Sequence, residues 1–86
     1  MTIIQLEYLL AVANFGSFSI AADHCFVTQP SLSMQIKALE SELGVMLLDR
    51  SKKPVVPTEA GEVVLQQALT LVGGTRLQWA EGGLQG

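Results

Sequence analysis

Three successive pairs of helix start and stop signals leave the first 44 residues little choice but to form three short helices joined by tight turns. Thr2 and Gln5 fit a capping box, the Thr2 hydroxyl taking a free N–H of the first turn and Gln5 reaching back to the cap. Leu6, Leu9, Leu10 and Ala13 follow at i, i+3, i+4 and i+7 as one apolar stripe, and Gly16 can adopt the left-handed conformation that closes a helix. A helix over about 3 to 15 is predicted. Ser17 then caps a shorter helix ending near Cys25, with Phe18, Ala21, Ala22 and Cys25 as its buried face, and Phe26-Val27 leaves room only for a turn. Thr28 caps a third helix that carries Pro30 in its first turn, where a missing N–H costs nothing, and runs to Leu43 before Gly44. Leu32, Ile36, Leu39 and Leu43 share one side of this helix. Its other side carries Pro30, Met34, Lys37 and Ser41, with Ser31 and Ser33 on the shoulders and Gln29 at the exposed start.

Beyond Gly44 the texture changes. Val45-Met46-Leu47-Leu48 is a short apolar run, Asp49 to Pro54 is polar, and Val55-Val56 is β-branched, a pattern that predicts a hairpin. Pro57-Thr58 opens a fourth helix, with Thr58 as cap and Glu59 and Glu62 in the first turn, where the helix dipole favours negative charge. Leu65, Leu69, Val72 and, past Arg76, Trp79 keep a 4-3-4-3 spacing suited to a seam against a second copy of the chain. Gly73-Gly74 interrupts that seam, and Gly82, Gly83 and Gly86 point to a fraying end.

Composition narrows the function classes. An apolar share of 49% against 15% charged residues belongs to a folded chain, and 86 residues make one small domain. No apolar run reaches the roughly 18 to 20 residues that span a bilayer, and no basic stretch with an apolar segment opens the chain, so a soluble, cytoplasmic protein without a membrane partner is expected. Cys25 is the only cysteine, which rules out an internal disulfide framework and leaves packing, self-association or further chain to stabilise the core. With no Lys or Arg nearby to activate it, Cys25 is expected to be a core thiol. His24 has no second ligand at metal spacing, the serines have no His/Asp partners for a nucleophilic triad, and no Gly-rich phosphate loop is present. Neither an enzyme nor a cofactor or metal site is expected.

The net charge of -3 argues, taken whole, against a nucleic-acid partner, because phosphate contacts need Lys and Arg. Its distribution argues the other way: Lys37, Arg50, Lys52 and Lys53 cluster, while Glu7, Glu59, Glu62 and Glu81 lie on the flanks. The element order settles the direction. A helix, a short helix, a tight turn, a capped helix with a polar outer face and then a basic-tipped hairpin is the mainly α plan of a winged helix-turn-helix. In that plan the start of the third helix enters the major groove, where Gln29 can pair with adenine and Ser31 and Ser33 can read base edges or phosphates. Pro30 and Met34 can touch a thymine methyl, and Lys37 can bond guanine or phosphate. Arg50, Lys52 and Lys53 in the wing would meet phosphates or the adjacent minor groove.

These residues also carry a family resemblance. LEYLLAVA from Leu6, Ala21-Ala22, VTQPSLSMQIKALESELGVMLLDR from Val27 to Arg50, and PTEAG from Pro57 together resemble the N-terminal DNA-binding domain of LysR-type transcriptional regulators, most of all the peroxide-responsive OxyR branch. The resemblance implies a bacterial, nucleoid-associated regulator that binds double-stranded DNA as a homodimer through its linker helix. It places groove contacts on Gln29, Pro30, Ser33 and Met34, with Thr28, Ser31, Gln35 and Lys37 nearby and Arg50 and Lys53 in the wing. It implies a division into a winged domain over 1–57 and a linker, or dimerisation, helix with a frayed end over 58–86. The family's effector-binding domain, with its small-molecule site and paired sensor cysteines, is not encoded in these residues. A second reading stays open: a dimerising remnant with little DNA binding of its own, motivated by the net charge of -3, by Met34 and by Gly73-Gly74.

Overall fold

The computed structural model describes residues 1–70 of the 86-residue chain. The elements run α1 (Ile3–Phe15), α2 (Phe18–His24), α3 (Gln29–Leu43), β1 (Leu48–Asp49), β2 (Val56–Pro57) and α4, a helix over 59–70. The three N-caps form as expected. Thr2 Oγ1 accepts the Gln5 N–H at 3.1 Å while Gln5 Oε1 accepts the Thr2 N–H at 3.1 Å. Ser17 Oγ accepts the Ile20 N–H at 3.1 Å, and Thr28 Oγ1 accepts the Ser31 N–H at 3.3 Å. Gly16 (φ 66) and Gly44 (φ 71) end α1 and α3 in the left-handed region.

α1 is the central element. It buries Leu6, Leu9, Leu10, Ala11 and Val12, a wider surface than the single stripe read from its spacing. The reason is that it is enclosed on several sides: α2 and α3 pack on it, and Ala13 faces Leu65 and Leu69 of α4 across a shallow groove. Ala21 and Ala22 of α2, Leu32, Ile36 and Leu39 of α3, Leu47 and Leu48, and Leu65 and Ala68 of α4 complete the core. Leu43, which shares the side of Leu32, Ile36 and Leu39 by spacing, is nevertheless 38% exposed. The inward position on that last turn is held by Glu40, and the chain reverses at Gly44 immediately afterwards.

The hairpin is present but shorter than the apolar run implied. β1 and β2 pair antiparallel with Leu48 opposite Pro57 and Asp49 opposite Val56, while Val45 and Met46 stay exposed. Its return leg lies on the end of α1. The Val55 N–H donates to the Gly16 carbonyl at 2.9 Å, and a Cβ on Gly16 would fall 2.4 Å from Pro54 Cβ. Gly16 therefore answers two demands, a left-handed helix end and a close approach.

The entry to α4 is fastened to the chain just before β1. The Thr58 hydroxyl donates to the Met46 carbonyl at 2.6 Å and accepts the Gly61 N–H at 3.0 Å, and the Thr58 N–H donates to the Leu47 carbonyl at 3.0 Å. Gly61 lies so close to this strand that a Cβ there would sit 2.0 Å from the Leu47 oxygen. Leu65 is buried and Leu69 packs against the core, so this face of α4 belongs to the chain's own body. Val72 and Trp79, and the Gly73-Gly74 pair, lie outside the described residues. Among the described residues no helix is long and apolar enough to cross a membrane.

Gly61→Ala tests this packing, because two effects oppose each other. Helix propensity alone favours alanine by about 1 kcal/mol, whereas the overlap with a backbone oxygen costs about 2–3 kcal/mol as overpacking. The expected outcome is a net loss of stability and a lower urea midpoint; a higher midpoint would show that α4 does not sit tightly on Leu47.

Candidate nucleic-acid interface

α3 presents a continuous outer face. Gln29, Pro30, Ser31, Met34, Lys37, Ala38 and Ser41 are exposed, and Ser33 is half-buried. From Gln29 to Lys37 no acidic side chain occurs, so the first two turns and more carry only neutral or positive groups. The N-cap pair is partly engaged: the Thr28 hydroxyl donates to Ser31 Oγ at 2.9 Å as well as accepting the Ser31 N–H. These two side chains hold the start of α3, which leaves Gln29, Ser33 and Lys37 as the more available polar groups on the face. Gln35, included among the DNA-contacting positions on resemblance, points elsewhere: its Oε1 accepts from Gln5 Nε2 at 3.2 Å and ties α3 to α1.

The turn expected at Phe26-Val27 joins α2 to α3. Phe26 takes a positive φ of 61 and is 94% exposed, while Val27 packs on the core. Cys25 is half-buried against the core, in line with a structural thiol. His24 lies at the end of α2 with its ring 4.9 Å from that of Phe15. Among the described residues no cluster of three His, Cys, Asp or Glu could hold a metal ion.

Lys52 and Lys53 stand exposed at the tip between β1 and β2, and among the described residues neither forms an ion pair. Arg50 is placed differently. Its guanidinium bonds Glu40 Oε1 at 3.2 Å and lies over the Phe18 ring at 5.1 Å, with 30% of the side chain exposed. This arginine serves first as a strut between wing, α3 and α2. Lys37 and Arg50 border one groove between the end of α3 and the base of the wing.

Glu40 was not singled out from the sequence, yet it organises this region. It is 6% exposed, and its Oε2 accepts the Leu47 N–H at 2.8 Å and the Leu48 N–H at 3.3 Å while Oε1 takes Arg50. A signal existed: Glu40 follows Ile36 by four residues and so places a charge on the inward side of α3. Glu40→Ala would leave two N–H groups and a guanidinium without their partner, so a loss of about 3–5 kcal/mol is expected in urea unfolding. A loss below about 1 kcal/mol would show that the wing is held without it.

At the wing, Asp49 Oδ1 accepts from both the Ser51 hydroxyl, at 2.5 Å, and the Ser51 N–H, at 3.0 Å. The hydroxyl bond above all and then the backbone bond hold the Asp49 carboxyl below its usual range, against an opposing effect of desolvation and with a lesser contribution from nearby Lys52. A folded pKa below the unfolded one means that this turn is favoured above the ordinary carboxylate range and that the gain disappears as pH falls through the lowered value. The Ser51 amide resonance should hold its position down to pH values at which a free aspartate is protonated, and then move. In Asp49→Asn that acid transition should be missing.

Residues 3–62 match the family model described as "Bacterial regulatory helix-turn-helix protein, lysR family". The chain is 51% identical over 72 residues to the "DNA-binding transcriptional dual regulator OxyR" of Escherichia coli strain K12, covering 84% of this chain and 24% of that protein. It is also 51% identical over 65 residues to a "Probable RuBisCO transcriptional regulator" of Thalassiosira pseudonana, covering 76% of this chain and 21% of that protein. The chain thus spans about a quarter of the length of the curated relatives it matches. Among solved structures, the BenM DNA-binding domain in complex with benA site 1 DNA superposes with a TM-score of 0.82 at 38% identity, covering 95% of this chain and 92% of that one. With a matching family model, matching relatives and the winged helix-turn-helix fold, the chain belongs to the LysR family of bacterial regulatory helix-turn-helix proteins.

Proposed function

We propose that the chain is the sequence-specific DNA-binding module of a bacterial transcriptional regulator, acting as a dimer with α3 in the major groove. The observation that carries the reading is the outer face of α3, exposed from Gln29 to Lys37 except for half-buried Ser33 and without acid, beside a wing whose Lys52 and Lys53 stand exposed and form no ion pair among the described residues. The similar BenM domain forms a complex with DNA, which supports DNA as the partner of this chain. Gln29, Pro30, Ser33, Met34 and Lys37 read base edges, Thr28 and Ser31 hold the helix start against the backbone, and Lys52 and Lys53 neutralise phosphates. Arg50 contributes through the part of its guanidinium that stays exposed, and Gln35 acts by fixing α3 on α1.

The second copy docks along α4. Leu65 is buried in the chain's own core and Leu69 packs against it, so of the seam read from the sequence Val72 and Trp79 remain for the second copy, with exposed Val63 alongside. Residues 1–57 then act as the reader and 58–86 as the linker. The module has no catalytic role, takes no cofactor and no small-molecule effector, and works in the bacterial cytoplasm on the nucleoid. The E. coli relative's name supports a place in the OxyR branch.

The net charge of -3, and Lys37 as the only cation on α3, favour one competing reading, a dimer that scarcely binds DNA. Selection of retained duplexes from a randomised pool, at low and moderate salt, separates the two. A two-half-site motif is expected, with affinity falling by roughly 0.9 log units per log unit of salt for each phosphate contacted. Ser33→Ala should then change the preferred base at one half-site position, whereas Lys53→Ala should weaken all sequences alike and lower the salt slope by about one unit per subunit. A folded, dimeric protein that enriches no sequence would establish the competing reading.

A further inference from the structure

The middle of the α3 outer face is apolar, and this has a consequence for what the helix reads. Met34 is 62% exposed, one turn beyond Pro30 on the same side and three residues before Lys37. It has no place in the core. Two of the polar side chains around it are occupied, Ser31 with Thr28 and Gln35 with Gln5, and Ser33 beside it is half-buried, on the shoulder of the face. A base pair facing this point meets a flexible thioether that offers no strong donor or acceptor.

We propose that Met34 is a specificity-determining residue that selects a pyrimidine bearing a C5-methyl group, so that each half-site holds one thymine recognised by its methyl rather than by hydrogen bonds. The inference rests on the reading of α3 as the groove helix and names what that helix prefers. In the major groove thymine presents a methyl and the O4 acceptor, whereas cytosine presents C5–H and the N4 amino donor. Packing Met34 on the methyl removes apolar surface from water on both partners. The same packing against cytosine gains no methyl contact and leaves the amino donor unpaired. Uracil keeps thymine's pairing and its O4 but lacks the methyl, and 5-methylcytosine restores the methyl but keeps the donor. The order of affinity at this position is therefore thymine above uracil, and 5-methylcytosine above cytosine.

The test uses the 86-residue chain and the duplex it selects from a random pool, with each half-site thymine replaced in turn by uracil. One position per half-site should lose about three- to five-fold in affinity, the magnitude of one buried methyl, and replacement in both half-sites should lose about ten- to twenty-fold. At that position 5-methylcytosine should bind more tightly than cytosine. Met34→Ala, an exposed helical substitution, should bind thymine and uracil there equally while keeping its preferences elsewhere. Equal binding of thymine and uracil at every position, or a thymine preference that survives Met34→Ala, would overturn the inference and leave sequence-specific binding intact. A pool with no enriched sequence would overturn the groove reading itself, and this inference with it.

Discussion

The Glu40 carboxylate joins the parts that must act together. It lies at 6% exposure on the last turns of α3, accepts the backbone N–H groups of Leu47 and Leu48 as the chain enters β1, and binds Arg50 as the chain leaves it. Arg50 in turn lies over Phe18 at the start of α2. Removing a carboxylate from water costs several kcal/mol, and the cost is offset only when its oxygens find several donors, as they do here. The fixed relation between recognition helix and wing therefore depends on a polar contact inside an otherwise apolar body. Leu47 and Leu48 reach the core because their N–H groups are satisfied at the same time.

Local features were legible in the sequence, and contacts between distant segments were not. The caps at Thr2, Ser17, Thr28 and Thr58, the left-handed ends at Gly16 and Gly44 and the order of elements all depend on bonds spanning three or four residues, which residue type alone reports. The outer face of α3 was legible for the same reason, since helical periodicity sets it. Glu40 was not, because its partners lie 7 to 10 residues away across a chain reversal. Nor was the wider burial of α1, which depends on how many neighbours surround it, nor the exposure of Leu43, whose inward place Glu40 takes. Gly61 shows the limit well. The motif that carries it is plain in the sequence, but its need for a hydrogen in place of a methyl arises only from the Leu47 carbonyl beside it.

Charge is placed with economy. The chain is acidic overall at -3, yet the surface offered to a polyanion has its cations on Lys37 and the wing tip and no acid between Gln29 and Lys37. If this surface meets DNA as proposed, it steers it weakly from a distance, because at physiological salt the field decays within roughly 8 Å, and relies on groups that reach contact. Shape and apolar fit at the groove then count for more relative to phosphate attraction.

The fastening of Thr58 to Met46 and Leu47 gives α4 a mechanical meaning. Two bonds from Thr58 and the hard contact at Gly61 set the angle at which the helix leaves the base of the wing. The described 59–70 stretch is about 18 Å long at 1.5 Å per residue. A tilt of roughly 10° at its root would carry its far end about 3 Å sideways at that length. Since α4 starts from the same segment that Glu40 ties to α3, the root of this helix and the α3 face are anchored to one short stretch of chain. In the dimer proposed above, small adjustments at that root would appear as changes in the spacing between the two α3 faces.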